Sequence, residues 1–198
     1  MSTESIESFE LIWEQVIEAF EQLGIAYHIG GSVASSAFGI FRASADIDLV
    51  ADFRAQHVAQ FVDLLQSDFY LDEEMIREAI HEKSSFNLIH VETGYKVDVF
   101  VLKNRPYDRQ AFNRAEPITL SDSPDARAFF VAAPEDVILN KLLWYQMGGG
   151  VSERQWIDIV GVIKVQVNRL DFGYMQQWAK ELDVAALLDR AIAQADAQ

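Results

Sequence analysis

Residues 30–50, GGSVASSAFGIFRASADIDLV, hold the reading on which the fold turns. Gly30-Gly31-Ser32 predict a tight turn, and the small-residue run Ser32–Phe38 predicts a helix closed by Gly39. After an irregular Ile40–Ala45, a strand is predicted over Asp46–Val50. In a strand, residues i and i+2 point to the same face, so Asp46 and Asp48 project together while Ile47 and Leu49 turn the other way. Two adjacent carboxylates repel, and burying them without a cation is costly. A divalent metal resolves this, and hard oxygen ligands suit Mg²⁺ or Mn²⁺. The alternative is a solvent-facing pair at a strand end. The turn is the complementary half: glycines between strand and helix let backbone N–H groups approach a phosphate, and the helix N-terminus adds its dipole. Ser32 can donate a hydroxyl. The pattern is not GxGxxG and no GK[ST] follows, so neither the dinucleotide-binding nor the P-loop reading is supported.

Upstream, residues 25–29 (IAYHI) predict a short buried strand. Before it, Ile6, Phe9, Trp13, Val16, Phe20 and Leu23 recur at helical spacing, with Gly24 as the stop. Downstream, residues 53–66 and 72–82 read as helices. Ser85–Val91 and Tyr95–Leu102 are β-prone and flank Glu92-Thr93-Gly94, a hairpin pattern. With Val97, Val99 and Val101 on the core face, Asp98 points to the opposite one, which Asn87 and Lys96 share. If Thr93-Gly94 are the central turn residues, Asp98 lies opposite Ile89. A third acid in a second apolar strand suits a two-metal phosphoryl-transfer site.

A short helix is predicted over 107–115, and strands over 116–120 and 127–132 with a turn at Ser121–Asp125. From Pro134 the pattern is helical, with proline early and Glu135 and Asp136 in the first turn. Helices are read from Pro134 to the triple glycine at 148–150, over about 152–168, and near 173–182 and 184–195. The domain reading is therefore an α/β core over 1–133 and a helical subdomain over 134–198.

Half of the 198 residues are apolar, enough for a substantial core, and no stretch is long and apolar enough to span a bilayer. There is no Cys, which removes disulfides, zinc-thiolate sites and cysteine nucleophiles. The acidic N-terminus lacks the positive region of a secretory signal, so the expected compartment is the cytoplasm. The formal net charge of −15 argues against bulk nucleic-acid binding, because phosphate recognition needs Lys and Arg. Lys141 stands on an otherwise apolar helix and either reaches a triphosphate or snorkels to the surface. Arg154 and Asp158, at i and i+4, read as a helix-surface ion pair. Arg42, a cation just before two aspartates, either steadies the carboxylates or contacts phosphate. The four histidines have no ligand spacing, and His90 is expected near the rim of the core side, hydrogen-bonded.

The stretch 30–50 resembles the signature of the polymerase-β-like nucleotidyltransferase superfamily: strand, Gly-Gly or Gly-Ser turn, helix, then Asp-x-Asp in the next strand. Within it, the segment is similar to the bacterial minimal-nucleotidyltransferase and abortive-infection toxin branches, where Arg-x-Ser/Thr often precedes the Asp pair, as Arg42-x-Ser44 does here. Residues 134–163 also resemble the C-terminal helices of that group, with a helix Lys followed by a helix Asp. The resemblance spans roughly residues 25–165; the Ser32–Asp46 spacing is slightly longer than in the smallest members. It implies a nucleotidyltransferase-fold mixed sheet with flanking helices and a C-terminal helical subdomain, an α/β (α+β) architecture. It also implies that Asp46 and Asp48 hold Mg²⁺ or Mn²⁺ on an NTP, with Asp98 as third ligand and acceptor of the hydroxyl proton. Gly30, Gly31 and Ser32 would cradle phosphates, with Arg42, Ser44 and Lys141 completing the nucleotide site. The expected reaction moves a nucleoside monophosphate from NTP to a hydroxyl. Compact size and negative charge favour a protein or small-molecule acceptor, with tRNA ends as the outsider. The competing reading is a catalytically silent nucleotide-sensing or partner-binding module of a toxin–antitoxin or defence system; a third is an acidic scaffold with no ligand.

Overall fold

A computed structural model describes residues 3–41, 44, 46–120 and 126–197, with residues 3–10 described by their backbone only. Arg42 and the turn read at Ser121–Asp125 lie outside the described residues. The fold is a mixed α/β arrangement: a multi-stranded sheet flanked by helices, and a C-terminal helical bundle. The chain divides into two compact units, Met1–Ile29 with Ala43–Phe112, and Gly30–Arg42 with Asn113–Gln198.

The first unit carries α1 (Thr3–Gln22), β1 (Tyr27–Ile29), β2 (Asp46–Ala51), a 3₁₀ turn (Ala55–His57) and α3 (Val58–Leu65). It continues through β3 (Phe69–Tyr70), α4 (Glu73–Glu82), β4 (Ser85–His90), β5 (Lys96–Val101) and α5 (Pro106–Asn113). Its strands lie in the order β3-β4-β5-β2-β1. The β2–β5 pair is parallel and the other neighbours are antiparallel. Parallel neighbours need a crossover, and α3, β3, α4 and β4 supply it. Alternation fixes the two faces. Ile47, Leu49, Val97, Val99, Phe86 and Leu88 point inward and are buried. On that face Phe20 of α1 stacks on Phe61 of α3 at 5.5 Å. Phe53 meets Phe61 edge-on at 4.9 Å and Phe86 at 5.5 Å. Each of these buried rings contributes about 2 kcal/mol through burial. This aromatic layer anchors α1 and α3 on the valine face and leaves the aspartates on the other.

Within the hairpin, Asn87 and not Ile89 stands opposite Asp98, and Ile89 faces Lys96. The register differs by two residues from one centred on Thr93-Gly94, because the His90 N–H donates to the Tyr95 carbonyl and residues 91–94 form a longer loop. Gly94, at φ +71°, accepts the left-handed conformation that loop requires. A shift of two preserves parity, so the face assigned to Asp98 is unchanged. His90 is buried on the core side, with Nδ1 2.9 Å from the Thr93 hydroxyl.

The second unit contains α2 (Gly31–Phe38), the antiparallel pair β6 (Glu116–Thr119) and β7 (Ala128–Val131), and α6 (Pro134–Met147). It ends with α7 (Glu153–Gln166), α8 (Phe172–Glu181) and α9 (Ala185–Asp196). The helices α6–α9 lie between Pro134 and Asp196, and the compact unit to which they belong also takes in α2, β6 and β7. The end of α2 approaches α7 closely: a Cβ on Gly39 would stand 3.0 Å from the Val162 backbone nitrogen and 2.9 Å from the Ser35 carbonyl. Here glycine is dictated by contact rather than by a turn. No helix among the described residues is long and apolar enough to cross a membrane.

Candidate functional site

Asp46 and Asp48 sit on one face of β2, and the parallel register carries that face directly onto β5. Asp46 pairs with Lys96 and Asp48 with Asp98. In-register residues on neighbouring strands are about 4.8 Å apart, so three carboxylates and one ammonium share a small patch of sheet. Asp46 is exposed, Asp48 half-buried, and the Asp98 side chain retains 18% of its exposure. Ser44 donates its hydroxyl to Asp46 Oδ1 at 3.2 Å. Lys96 donates from Nζ to Asp98 Oδ2 at 2.7 Å. That hydrogen bond raises the pKa of the ammonium above the usual lysine range, opposed by burial and helped by the negative fields of Asp98, Asp46 and Asp48.

The donor chemistry fits a hard divalent cation: all three candidate ligands are carboxylates, from two adjacent strands. They are not gathered as a shell, however. Among the described residues no group of three or more His, Asp or Glu side chains is disposed to hold a metal ion. One oxygen of Asp98 is committed to Lys96 instead.

Farther along the same face lies His28 of β1, opposite Val50. Its ring is buried, packs 5.2 Å from Phe112 of α5, and leaves Nδ1 without a hydrogen-bond partner. Desolvation lowers its pKa to about 4, so it is neutral at physiological pH.

The glycine turn belongs to the second unit. Gly30 precedes α2, and its carbonyl accepts from the Ala34 N–H at 3.1 Å, closing the first turn. Gly31 has φ +55°, a conformation that a side chain would strain, which is why the helix can start so abruptly there. Ser32 offers its carbonyl to the Ser35 hydroxyl at 3.0 Å.

Lys141 is neither exposed nor free. It is buried, and Nζ donates to Asp158 Oδ2 of α7 at 2.8 Å. This corrects both bland expectations: Lys141 is not a snorkelling surface residue, and Asp158 pairs across helices with it while Arg154 stays exposed.

A second buried network was not visible in the sequence. Arg114 donates to Glu135 at 2.6 Å and to Asp136 at 3.1 Å, and lies 4.0 Å over the Tyr174 ring. The Tyr174 hydroxyl donates to Asp136 at 2.7 Å. Burial raises the Asp136 carboxyl, while Tyr174 and Arg114 pull it down. Glu135 and Asp136 read as helix-dipole acids; their partners come from distant segments, which spacing cannot reveal.

No protein-family model matches the chain, and no curated protein does. Among solved structures it is similar to the antibiotic-resistance factor ANT(2'')-Ia in solution, with TM-score 0.53, 15% identity and 96% of each chain covered. The same factor in complex with adenylyl-2''-tobramycin gives TM-score 0.55 at 12% identity, over 89% of this chain and 97% of that one. An antigenic nucleotidyltransferase-like protein from Paracoccidioides brasiliensis gives TM-score 0.51 at 20% identity, over 90% and 89%. At these identities the likeness is one of fold.

Proposed function

We propose that the protein transfers a nucleoside monophosphate from an NTP to a hydroxyl of a protein or small molecule, with Asp46, Asp48 and Asp98 holding Mg²⁺ or Mn²⁺. The observation that carries this reading is the parallel register that sets Asp48 beside Asp98 on the face of Asp46. A bound divalent cation would neutralise phosphate charge and orient the triphosphate for in-line attack. In this reading Asp98 accepts the proton of the attacking hydroxyl once its carboxylate leaves Lys96. The Ser44 hydroxyl donates to Asp46. By the resemblance, Gly30, Gly31 and Ser32 hold phosphate oxygens, with Gly31 free of a Cβ where the backbone must turn left-handed. By the same resemblance, Arg42, Ser44 and Lys141 complete the nucleotide site. The acceptor follows from charge: a net −15 disfavours long polyanions, leaving tRNA ends as the least favoured class.

One observation favours the alternative, a silent nucleotide-sensing module of a toxin–antitoxin or defence pair: Asp98 already has an internal partner in Lys96. The deciding experiment is an α-labelled NTP transfer screen with Mg²⁺ or Mn²⁺ against protein and small-molecule acceptors. Label transfer supports the enzyme. Nucleotide binding that depends on the divalent cation, without turnover on any acceptor, supports the sensor.

A further inference from the structure

Lys96 lies in register with Asp46, two positions before Asp98 on the same face, and bonds Asp98 Oδ2 at 2.7 Å. A lysine in this position has one strong effect: its single positive charge does, in part, what a divalent cation would do. The pair is partly exposed, with the Lys96 side chain 43% accessible, so the ammonium can leave for solvent without stranding a buried charge. Its stem is long enough to swing clear, whereas Asp98 is tied to the strand by one methylene. We propose that Lys96 is a built-in counter-ion that holds Asp98 in the metal-free protein and is displaced when a divalent cation binds. Lys96 thereby sets the divalent affinity as a positioning residue, through competition for Asp98. This rests on the proposed cation site at Asp46, Asp48 and Asp98.

The competition has one consequence that a merely structural lysine would not produce. Removing the ammonium frees an Asp98 oxygen and removes repulsion toward an incoming cation, so divalent affinity rises. It also leaves three carboxylates uncompensated when no metal is present, so the metal-free protein melts lower.

The test is Mn²⁺ titration by electron paramagnetic resonance and calorimetry, with thermal melting in chelator, on the full chain. Lys96→Met keeps the apolar stem and is expected to bind Mn²⁺ about fivefold or more tightly than wild type while melting lower in chelator. Lys96→Arg keeps the charge and is expected to resemble wild type in both. Lys180→Met, on the exposed surface of α8, controls for the change in net charge and should leave Mn²⁺ affinity unchanged. A measurement on the unsubstituted protein stands beside these: the Lys96 Cε–Hε resonance, assigned by its loss in Lys96→Arg, should shift as Mg²⁺ is added. Equal or weaker Mn²⁺ binding by Lys96→Met, or a Lys96 resonance indifferent to saturating Mg²⁺, overturns the role of Lys96 and leaves the cation site standing. If neither wild type nor Lys96→Met binds Mn²⁺, the cation-site reading falls and this proposal with it.

Discussion

At the scale of the residue, Asp98 carries the hydrogen bond of Lys96 on the aspartate face of the sheet. Strand parity places Asp98 opposite the valines whatever the hairpin register, which is why a two-residue shift in pairing left its face intact. The same parity puts Lys96 on that face, but no spacing rule says that its ammonium turns onto Asp98. The pair decides what Asp98→Asn does. Three carboxylates without compensation would gain stability from losing one, whereas here the substitution also removes the partner of Lys96. The melting temperature in chelator should therefore stay within a degree or two of wild type, while nucleotidyl transfer falls by about a hundredfold or more. Differential scanning fluorimetry and the labelled-NTP assay check the two halves. His28 gives a pH prediction. Its folded pKa of about 4 lies below the ordinary 6.5, so its contribution is complete above about pH 6.5 and is lost as pH falls toward 4. By pH 5 the loss is about 2 kcal/mol. Urea denaturation of wild type and His28→Leu between pH 7 and 5 should show the variant losing much less stability over that interval.

At the scale of the element, helix positions were readable from apolar period and punctuation. Pro134 opens α6 and the glycines at 148–150 follow its end, as proline and glycine chemistry requires. What the period hides is which polar residue of a helix faces another helix. Asp158 stands four residues from Arg154, the natural local partner, yet it lies on the buried side with Ile159 and Val162. Its partner is Lys141, in the preceding helix. Breaking a buried pair strands a charge. Lys141→Met and Asp158→Leu are each expected to lose about 3 kcal/mol, and the double variant to recover most of that loss. Chemical denaturation of the four proteins in the cycle measures the coupling; additive losses would mean that the pair is not the source of the cost.

At the scale of the whole molecule, the sequence reading placed the change of character at Pro134, because apolar alternation gives way there to helical period. Compactness follows different lines, since α2 packs with α6 and α7 although it lies a hundred residues upstream of them. Such long-range partnership leaves no mark on local pattern, apart from two glycines, Gly39 and Gly161, that look ordinary until the opposing chain is seen. A fragment of residues 134–198 lacks the helix that covers α6 and α7. Its circular dichroism is expected to show helix without a cooperative thermal transition, and adding residues 30–42 and 113–133 through a linker should restore one. The parallel pairing of β2 with β5 also carries a meaning for the order of events in the life of the chain. During synthesis Asp46 and Asp48 emerge early, and Asp98 arrives only after α3, β3, α4 and β4 have been made. Closing that long crossover is slow, and the β4–β5 hairpin must dock the free edge of β5 on β2. A chain that has reached only β4 therefore holds two of the three carboxylates of that face, and the third joins them when the crossover closes.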